Sequence, residues 1–148
     1  MMKNTGTDND GLEWYHGVAG RGLSDTLGIQ LVELTPARVV ATMPVDERTR
    51  QPFGILHGGA SVALAETVAS LGAVMNLDRE RFAAVGLEIN ANHIRPKREG
   101  TVRATGTPVH VGRTTQVWTI TIEDEEGRLV CTSRCTLAVV PRRDPPAR

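Results

Sequence analysis

The chain has 148 residues and a mass of 16.0 kDa, the size of one domain, which leaves no room for a separate cofactor-binding domain. Seventeen basic residues balance seventeen acidic ones, so the basic excess usual in a nucleic-acid-binding module is absent. Apolar residues make up 40% of the chain and aromatic ones only 3%, so the core is expected to be built from Ala, Val, Leu and Ile.

Residues 1–11 are polar and lack the apolar centre of a signal peptide. The first ten residues and the Pro-rich tail 141–146 are expected to be mobile. Residues 12–18 are expected to make a short helical turn around Trp14 and Tyr15. Runs at 29–33 and 38–43 read as short strands joined by Leu34-Thr35-Pro36-Ala37. A polar stretch at 46–51 then leads through Pro52-Phe53-Gly54-Ile55-Leu56 to His57-Gly58-Gly59, where glycines break the chain before a helix. That helix starts at 59 or 60 and runs to about 75, being rich in Ala and Leu and too long for a strand. Only Ser61, Glu66, Thr67 and Ser70 are polar along it, which predicts a helix buried nearly all round. Its shortness and its glutamate argue against a membrane span.

From residue 83 the period changes to two, with Val85, Leu87, Ile89 and Ala91 alternating with Gly86, Glu88, Asn90 and Asn92. Pro96-Lys97-Arg98-Glu99-Gly100 ends this strand. Further strands are expected at 101–110, 115–123 and 129–140, with turn-like links at 111–114 and 124–128. Such short links predict antiparallel hairpins between consecutive strands. One helix cannot cover both faces of this sheet, so the economical architecture is α+β, a curved antiparallel sheet wrapped around the helix. An edge strand left open would pair with a second copy, giving a homodimer. Cys131 and Cys135, four apart on one strand face, are too distant for a mutual disulfide. They read as small buried hydrophobes, consistent with a reducing cytoplasm.

Glu66 is the one charge in the apolar helix, and burying a carboxylate is costly unless something compensates it. At about 100° per residue, Ala63, Ser70 and Ala73 share its face, with Gly59 two turns earlier. That small, partly polar stripe leaves room for another molecule. Spacing alone leaves two roles open: an ion pair with an arginine, across a subunit interface included, or chemistry on a substrate. Ser70 is placed to bond the carboxylate, a water, or the carbonyl of residue 66. His57-Gly58-Gly59 brings free N–H groups and the positive end of the helix dipole to one point, where a carbonyl oxygen would be polarised. Ordinary loop chemistry before a helix reads the same way. His57 reads equally as a structural hydrogen-bonding residue, and Gln51 as a loop glutamine with a neutral amide donor.

Arg95, Lys97, Arg98, Arg103 and Arg113 are opposed by one acid, Glu99, between residues 91 and 113, where His93 and His110 also fall. On adjacent antiparallel strands they would gather into a phosphate-binding patch; the alternative is a solvated basic rim. The histidines at 16, 57, 93 and 110 are scattered. No CxxC, HExxH or paired carboxylates occur at ligand spacing, so no metal is expected. A GxSxG elbow, a P-loop and a dinucleotide glycine fingerprint are also missing, which removes the usual support for serine-hydrolase and nucleotide-hydrolase chemistry.

The run Gln51-Pro52-Phe53-Gly54-Ile55-Leu56-His57-Gly58-Gly59-Ala60-Ser61, followed by Leu64-Ala65-Glu66, resembles the signature of hot-dog-fold acyl-CoA thioesterases. Val85-Gly86-Leu87-Glu88-Ile89-Asn90-Ala91-Asn92-His93, Pro108-Val109-His110-Val111-Gly112-Arg113 and Gln116-Val117-Trp118 are similar to further motifs of that family. The likeness covers roughly 27–140. It is nearest to the branch holding 1,4-dihydroxy-2-naphthoyl-CoA hydrolases and the enterobactin-pathway proofreading thioesterase. It implies a hot-dog domain at 27–140, flanked by an N-terminal segment at 1–26 and a tail at 141–148, and dimers that commonly pair into tetramers. By that resemblance Glu66 would be nucleophile or general base, and the Gly58 N–H would bind the thioester oxygen. Gln51 and His57 would polarise the thioester, and Ser70 would orient water. Glu66 of one chain would face Gln51, His57 and Gly58 of another. Coenzyme A contacts would fall on Gly86, on His93, Ile94, Arg95 and Pro96, and on His110, Val111, Gly112, Arg113, Thr114 and Thr115. Arg113 stands where relatives carry a serine.

The resulting expectation is a cytoplasmic thioesterase acting on an aromatic or related acyl-CoA, with acyl- or aryl-carrier protein as a further partner. No cofactor is expected, coenzyme A being part of the substrate, and neither nucleic acid nor membrane is an expected partner. The rival is a non-catalytic binding module of the same fold for acyl-CoA or acyl-carrier protein; it need not keep a buried carboxylate beside Gln51, Gly58 and Ser70. A dehydratase of that fold typically uses a histidine with an acidic partner, which fits these residues less well.

Overall fold

The computed structural model describes residues 10–18 and 22–142. The expectations of mobility at 1–9 and 143–148 lie outside the described residues. In chain order the elements are α1 (Asp10–Val18), α2 (Leu23–Leu27), β1 (Gln30–Leu34), β2 (Val39–Pro44), α3 (Gly58–Met75), β3 (Phe82–His93), β4 (Thr101–Val111), β5 (Thr115–Glu123) and β6 (Leu129–Pro141). The expected turn near Trp14 is thus a two-turn helix that already includes Asp10. The last strand runs on to Pro141, and the Arg142 N–H donates to the Arg81 carbonyl at 2.8 Å.

One six-stranded antiparallel sheet, in the order β1-β2-β4-β5-β6-β3, curls around α3, so the fold is the α+β hot-dog arrangement. The helix lies close to the sheet because small residues meet large ones across the gap. Gly72 leaves room for Trp118, whose ring carbon would lie 2.3 Å from any Cβ placed there, and Gly106 does the same for Val68. Trp118 is fully buried, and its indole N–H donates to Gln116 Oε1 at 3.1 Å. The Gln116 amide in turn donates to the Ala73 carbonyl at 3.2 Å, so these buried polar atoms are satisfied. Aliphatic residues fill most of the core as composition predicts, but its largest fully buried side chain is this one tryptophan.

Three expectations are corrected. First, α3 is not buried all round: Ala60, Ser61, Leu64, Ala65, Val68, Ala69, Gly72 and Ala73 face the sheet, whereas Glu66 lies open. The helix has the length and mean hydropathy of a membrane span, but this packing makes it the core helix.

Second, β3 and β4 do not form a hairpin. β3 pairs with β6, and β4 pairs with β2. The link from 94 to 100 carries the chain past the N-terminal end of α3. The Ile94 N–H donates to the Val130 carbonyl at 2.8 Å, the Leu56 N–H to Lys97 at 2.7 Å, and the Val45 N–H to Gly100 at 2.8 Å.

Third, the alternation in β3 does not keep one face. A bulge between Gly86 and Glu88 inserts Leu87, and an extra residue shifts the phase of all that follow. Ile89 and Ala91 therefore pack on the core while Val85 and Leu87 are exposed. β3 is an edge strand, with both apolar side chains and one row of backbone groups open on this chain.

Candidate active site

His57 enters α3 in an extended conformation (φ −69°, ψ 131°), and its Nδ1 accepts the Gly59 N–H at 2.8 Å. The ring is thus a helix N-cap, the structural use that the sequence left open, and its Nε2 remains on the other side. Ala60 and Ser61 donate to the His57 carbonyl at 3.0 and 3.2 Å. This leaves the Gly58 N–H with no acceptor among the described residues, at the positive end of an 18-residue helix. A Cβ at residue 58 would lie 2.8 Å from His93 Nε2, so the His93 ring packs against Gly58.

The preceding loop is a tight turn. The Gln51 N–H donates to Ile55 and the Gly54 N–H to Gln51, both at 2.9 Å, and Gly54 takes the left-handed φ of 79°. Gln51 Oε1 accepts the Phe53 N–H, which fixes the amide so that its NH2 group is the end left to donate.

Glu66 is exposed and forms no ion pair with the described residues, so no arginine of this chain pairs with it there. The expected burial cost does not arise within one chain. Its carboxylate lies over Gly86, where a Cβ would come within 2.9 Å of Oε1. The β3 bulge puts Gly86 on the inward face, opposite the buried Leu137. Glu66 and Ser70 line one cavity of about 380 Å³, together with Thr67, Ala63 and Leu71. Tyr15, Leu23 and Ser24 complete its wall. These three residues lie before position 27, outside the motifs, and α2 spans five residues, too few to show a periodic pattern. Below Glu66, burial pushes the Cys135 thiol up to about 11, with the charges of Glu66 and Glu88 adding to it, so it stays protonated near neutrality. Both cysteines are free and buried.

Glu66 and Gly58 do not meet in one chain. Eight residues of helix separate them, about 12 Å of axis, whereas one reacting carbonyl must lie within about 3 Å of both groups. Gln51 and His57 stay with Gly58, and Ser70 with Glu66.

The residues expected to hold coenzyme A are also divided. His93, Ile94, Arg95 and Pro96 line a cavity of about 240 Å³ with Ile55 and Ser61 near the start of α3. His110, Val111, Gly112, Arg113, Thr114 and Thr115 form the β4–β5 hairpin at the other end of the sheet. There Val111, Gln116, Leu137 and Gly86 make one row across four strands. The His110 ring packs against Gly112, whose N–H donates to the Thr115 carbonyl at 2.9 Å. The basic segment therefore does not gather on adjacent strands, because β5 and β6 stand between β3 and β4. Lys97 is committed to an ion pair with Glu125, whose carboxyl is held at about 2 chiefly by that lysine. Arg95, Arg98 and Arg113 have no acidic partner among the described residues. Among those residues no three His, Cys, Asp or Glu side chains come together as a metal cluster.

Residues 53–131 match the family model described as the Thioesterase superfamily. ComA2 of Bacillus subtilis, which carries an esterase name, is 63% identical over 80% of this chain and 94% of its own. The 1,4-dihydroxy-2-naphthoyl-CoA hydrolase of Escherichia coli is 52% identical over 77% and 83%. The crystal structure of thioesterase HI1161 from Haemophilus influenzae superposes with a TM-score of 0.83 at 45% identity, covering 98% of each chain. Fold, motifs and relatives agree: this chain belongs to the Thioesterase superfamily and is a thioester hydrolase.

Proposed function

We propose that the protein hydrolyses an aromatic or related acyl-CoA to the free acid and coenzyme A, with each active site shared by two chains. The observation that carries this reading is the pair of incomplete half-sites. One is an N–H donor at Gly58 without an acceptor among the described residues; the other, about 12 Å along the same helix, is a carboxylate at Glu66 without an ion-pair partner among them. The open β3 edge, with Val85 49% and Leu87 63% exposed, offers the surface on which a second copy pairs. Two such dimers associating back to back would give the tetramer.

In the shared site the thioester oxygen accepts the Gly58 N–H of one chain, assisted by the helix dipole and the Gln51 amide. His57, fixed as the N-cap, keeps that donor aimed. Glu66 of the other chain either attacks the carbonyl carbon or takes a proton from a water that attacks it. In the first route an acyl–Glu66 anhydride forms, the C–S bond breaks, and water then releases the acid. In the second the tetrahedral intermediate collapses, and the departing thiolate takes up the proton held by Glu66. Thiolates leave readily, so a carboxylate with a fixed oxyanion donor suffices. Ser70, in the same cavity, orients the water.

The coenzyme A phosphates are assigned to Arg95 and Arg113, with backbone donors from the 93–96 and 110–115 segments. An acyl-carrier or aryl-carrier protein could present the same thioester. Two free buried thiols accord with a cytoplasmic location.

The test is Glu66→Gln, which keeps the side-chain volume and removes the base. kcat on a good aryl-CoA substrate is expected to fall by about 10³-fold with Tm unchanged. Near-normal turnover would overturn the assignment. Tight acyl-CoA binding without turnover by the unaltered protein would favour the binding-module alternative.

A further inference from the structure

The cavity beside Glu66 has one wall that the thioesterase motifs do not supply. Tyr15 comes from α1, and Leu23 and Ser24 come from α2. Both helices are anchored. Gly11 meets β1 so closely that a Cβ would lie 2.2 Å from the Leu34 carbonyl oxygen. The Trp14 ring lies under the Arg79 guanidinium at 4.6 Å, and Leu12, Trp14 and Tyr15 pack on the core. α2 is held by buried Leu27 and by Gly28, which takes a left-handed φ of 70° and donates to the Asp25 carbonyl at 3.1 Å. On this fixed support Leu23 remains 65% exposed. Leu23 thus gives the cavity an apolar lining that its own chain leaves uncovered, the kind of lining that organic-ligand pockets favour.

We infer that α1 and α2 form the acyl-selecting wall of the active site, with Leu23 and Tyr15 contacting an aryl group whose thioester carbon lies at Glu66. This rests on the thioesterase reading and adds the residues that choose the acyl group. The opposite wall is Ala63 and Leu71, so a flat ring can lie between aliphatic surfaces with an edge or face toward Tyr15. At about 380 Å³ the cavity falls at the small end of the range for organic ligands. That suits an aromatic acyl group and leaves the nucleotide part of coenzyme A outside. Ser24 and Ser70 add hydroxyl groups to the lining, available to polar ring substituents.

The experiment measures binding of a thioether analogue that cannot be hydrolysed, phenacyl-CoA, and of coenzyme A itself, by calorimetry on the full chain. The unaltered protein is compared with Leu23→Ala, Leu23→Trp and, as a control on the same helix outside the cavity, Asp25→Asn. Leu23 is exposed, so neither of its variants threatens the fold. The expected result is a preference for phenacyl-CoA over coenzyme A that falls about fivefold or more in both Leu23 variants, from lost apolar contact in one and a filled cavity in the other. Asp25→Asn keeps the original preference. A preference unchanged in the Leu23 variants, or equally reduced in Asp25→Asn, overturns the inference; so does a lack of any preference in the unaltered protein. Hydrolysis of benzoyl-CoA by the unaltered protein is followed in parallel. Its absence would count against the proposed function, whereas unchanged analogue binding with intact hydrolysis counts against the acyl wall alone.

Discussion

The two faces of α3 put small residues to opposite uses. On the face toward the sheet, Gly72 lets the helix sink onto Trp118, and the space it leaves is filled. On the other face, Ala63 and Ser70 flank Glu66, and with Gly86 beneath they leave a cavity that the chain does not fill. A small side chain marks packing when something large stands opposite it, and a site when nothing does.

The packed face should be sensitive in stability and the open face in catalysis, so breaking each in turn sharpens the contrast. Trp118→Ala removes the largest side chain of the core and the indole hydrogen bond to Gln116, leaving that buried amide oxygen without its donor. It should cost about 3–5 kcal/mol, read by urea unfolding; a loss below about 1 kcal/mol would mean that the packed face is not what holds the helix. Gly86→Ala is the mirror experiment. The added methyl meets the Glu66 carboxylate and should lower kcat roughly tenfold by moving it, with Tm unchanged or slightly raised. Full activity in that variant would mean that the carboxylate need not rest over Gly86 to react.

The smallest effect belongs to the β5–β6 turn, remote from both faces. The Asp124 carboxyl is held at about 2, below its ordinary 3.8, first by the backbone N–H of Arg128 and then by that residue's side chain. A carboxyl lowered in the folded state stabilises fully above its unfolded value and loses that contribution as the pH falls toward the folded one. Melting temperature should therefore decline between about pH 4 and pH 2. Asp124→Asn should start lower near neutrality and show a shallower decline. A parallel decline in both proteins would remove Asp124 from the acid response.

Much of this architecture was legible in local pattern. The switch of period at residue 83 located β3, and the links at 111–114 and 124–128 located two hairpins. What was not legible depends on partners distant in sequence. Nothing in residues 94–100 states that the chain passes α3 to reach β2, so β3 and β4 looked adjacent and the basic segment read as either one phosphate-binding patch or a solvated rim. The Leu87 bulge breaks an alternation that reads as perfect, because register is set by β6. Glu66 was identified by its contrast with an apolar helix, yet its exposure follows from a curved sheet that stops at β3 and leaves that face uncovered. Leu23 had no signal at all, since α2 gains its place from Leu27 and the Gly28 cap.

The central claim is that the Gly58 N–H and the Glu66 carboxylate act on one thioester from different chains. Gly58→Pro deletes that N–H at a first helical position, where proline is tolerated, and His57 already has the extended backbone that a following proline requires. Gly58→Ala adds the same Cβ against His93 but keeps the donor, so the two variants separate the hydrogen bond from the contact. Glu66→Gln and Gly58→Pro chains are unfolded, mixed in equal amounts, refolded and assayed on an aryl-CoA. Half of the resulting dimers are mixed, and each carries one intact site, so activity should recover to about a quarter of that of the unaltered protein. A mixture no more active than its parents would place both groups in a single-chain site and contradict the account.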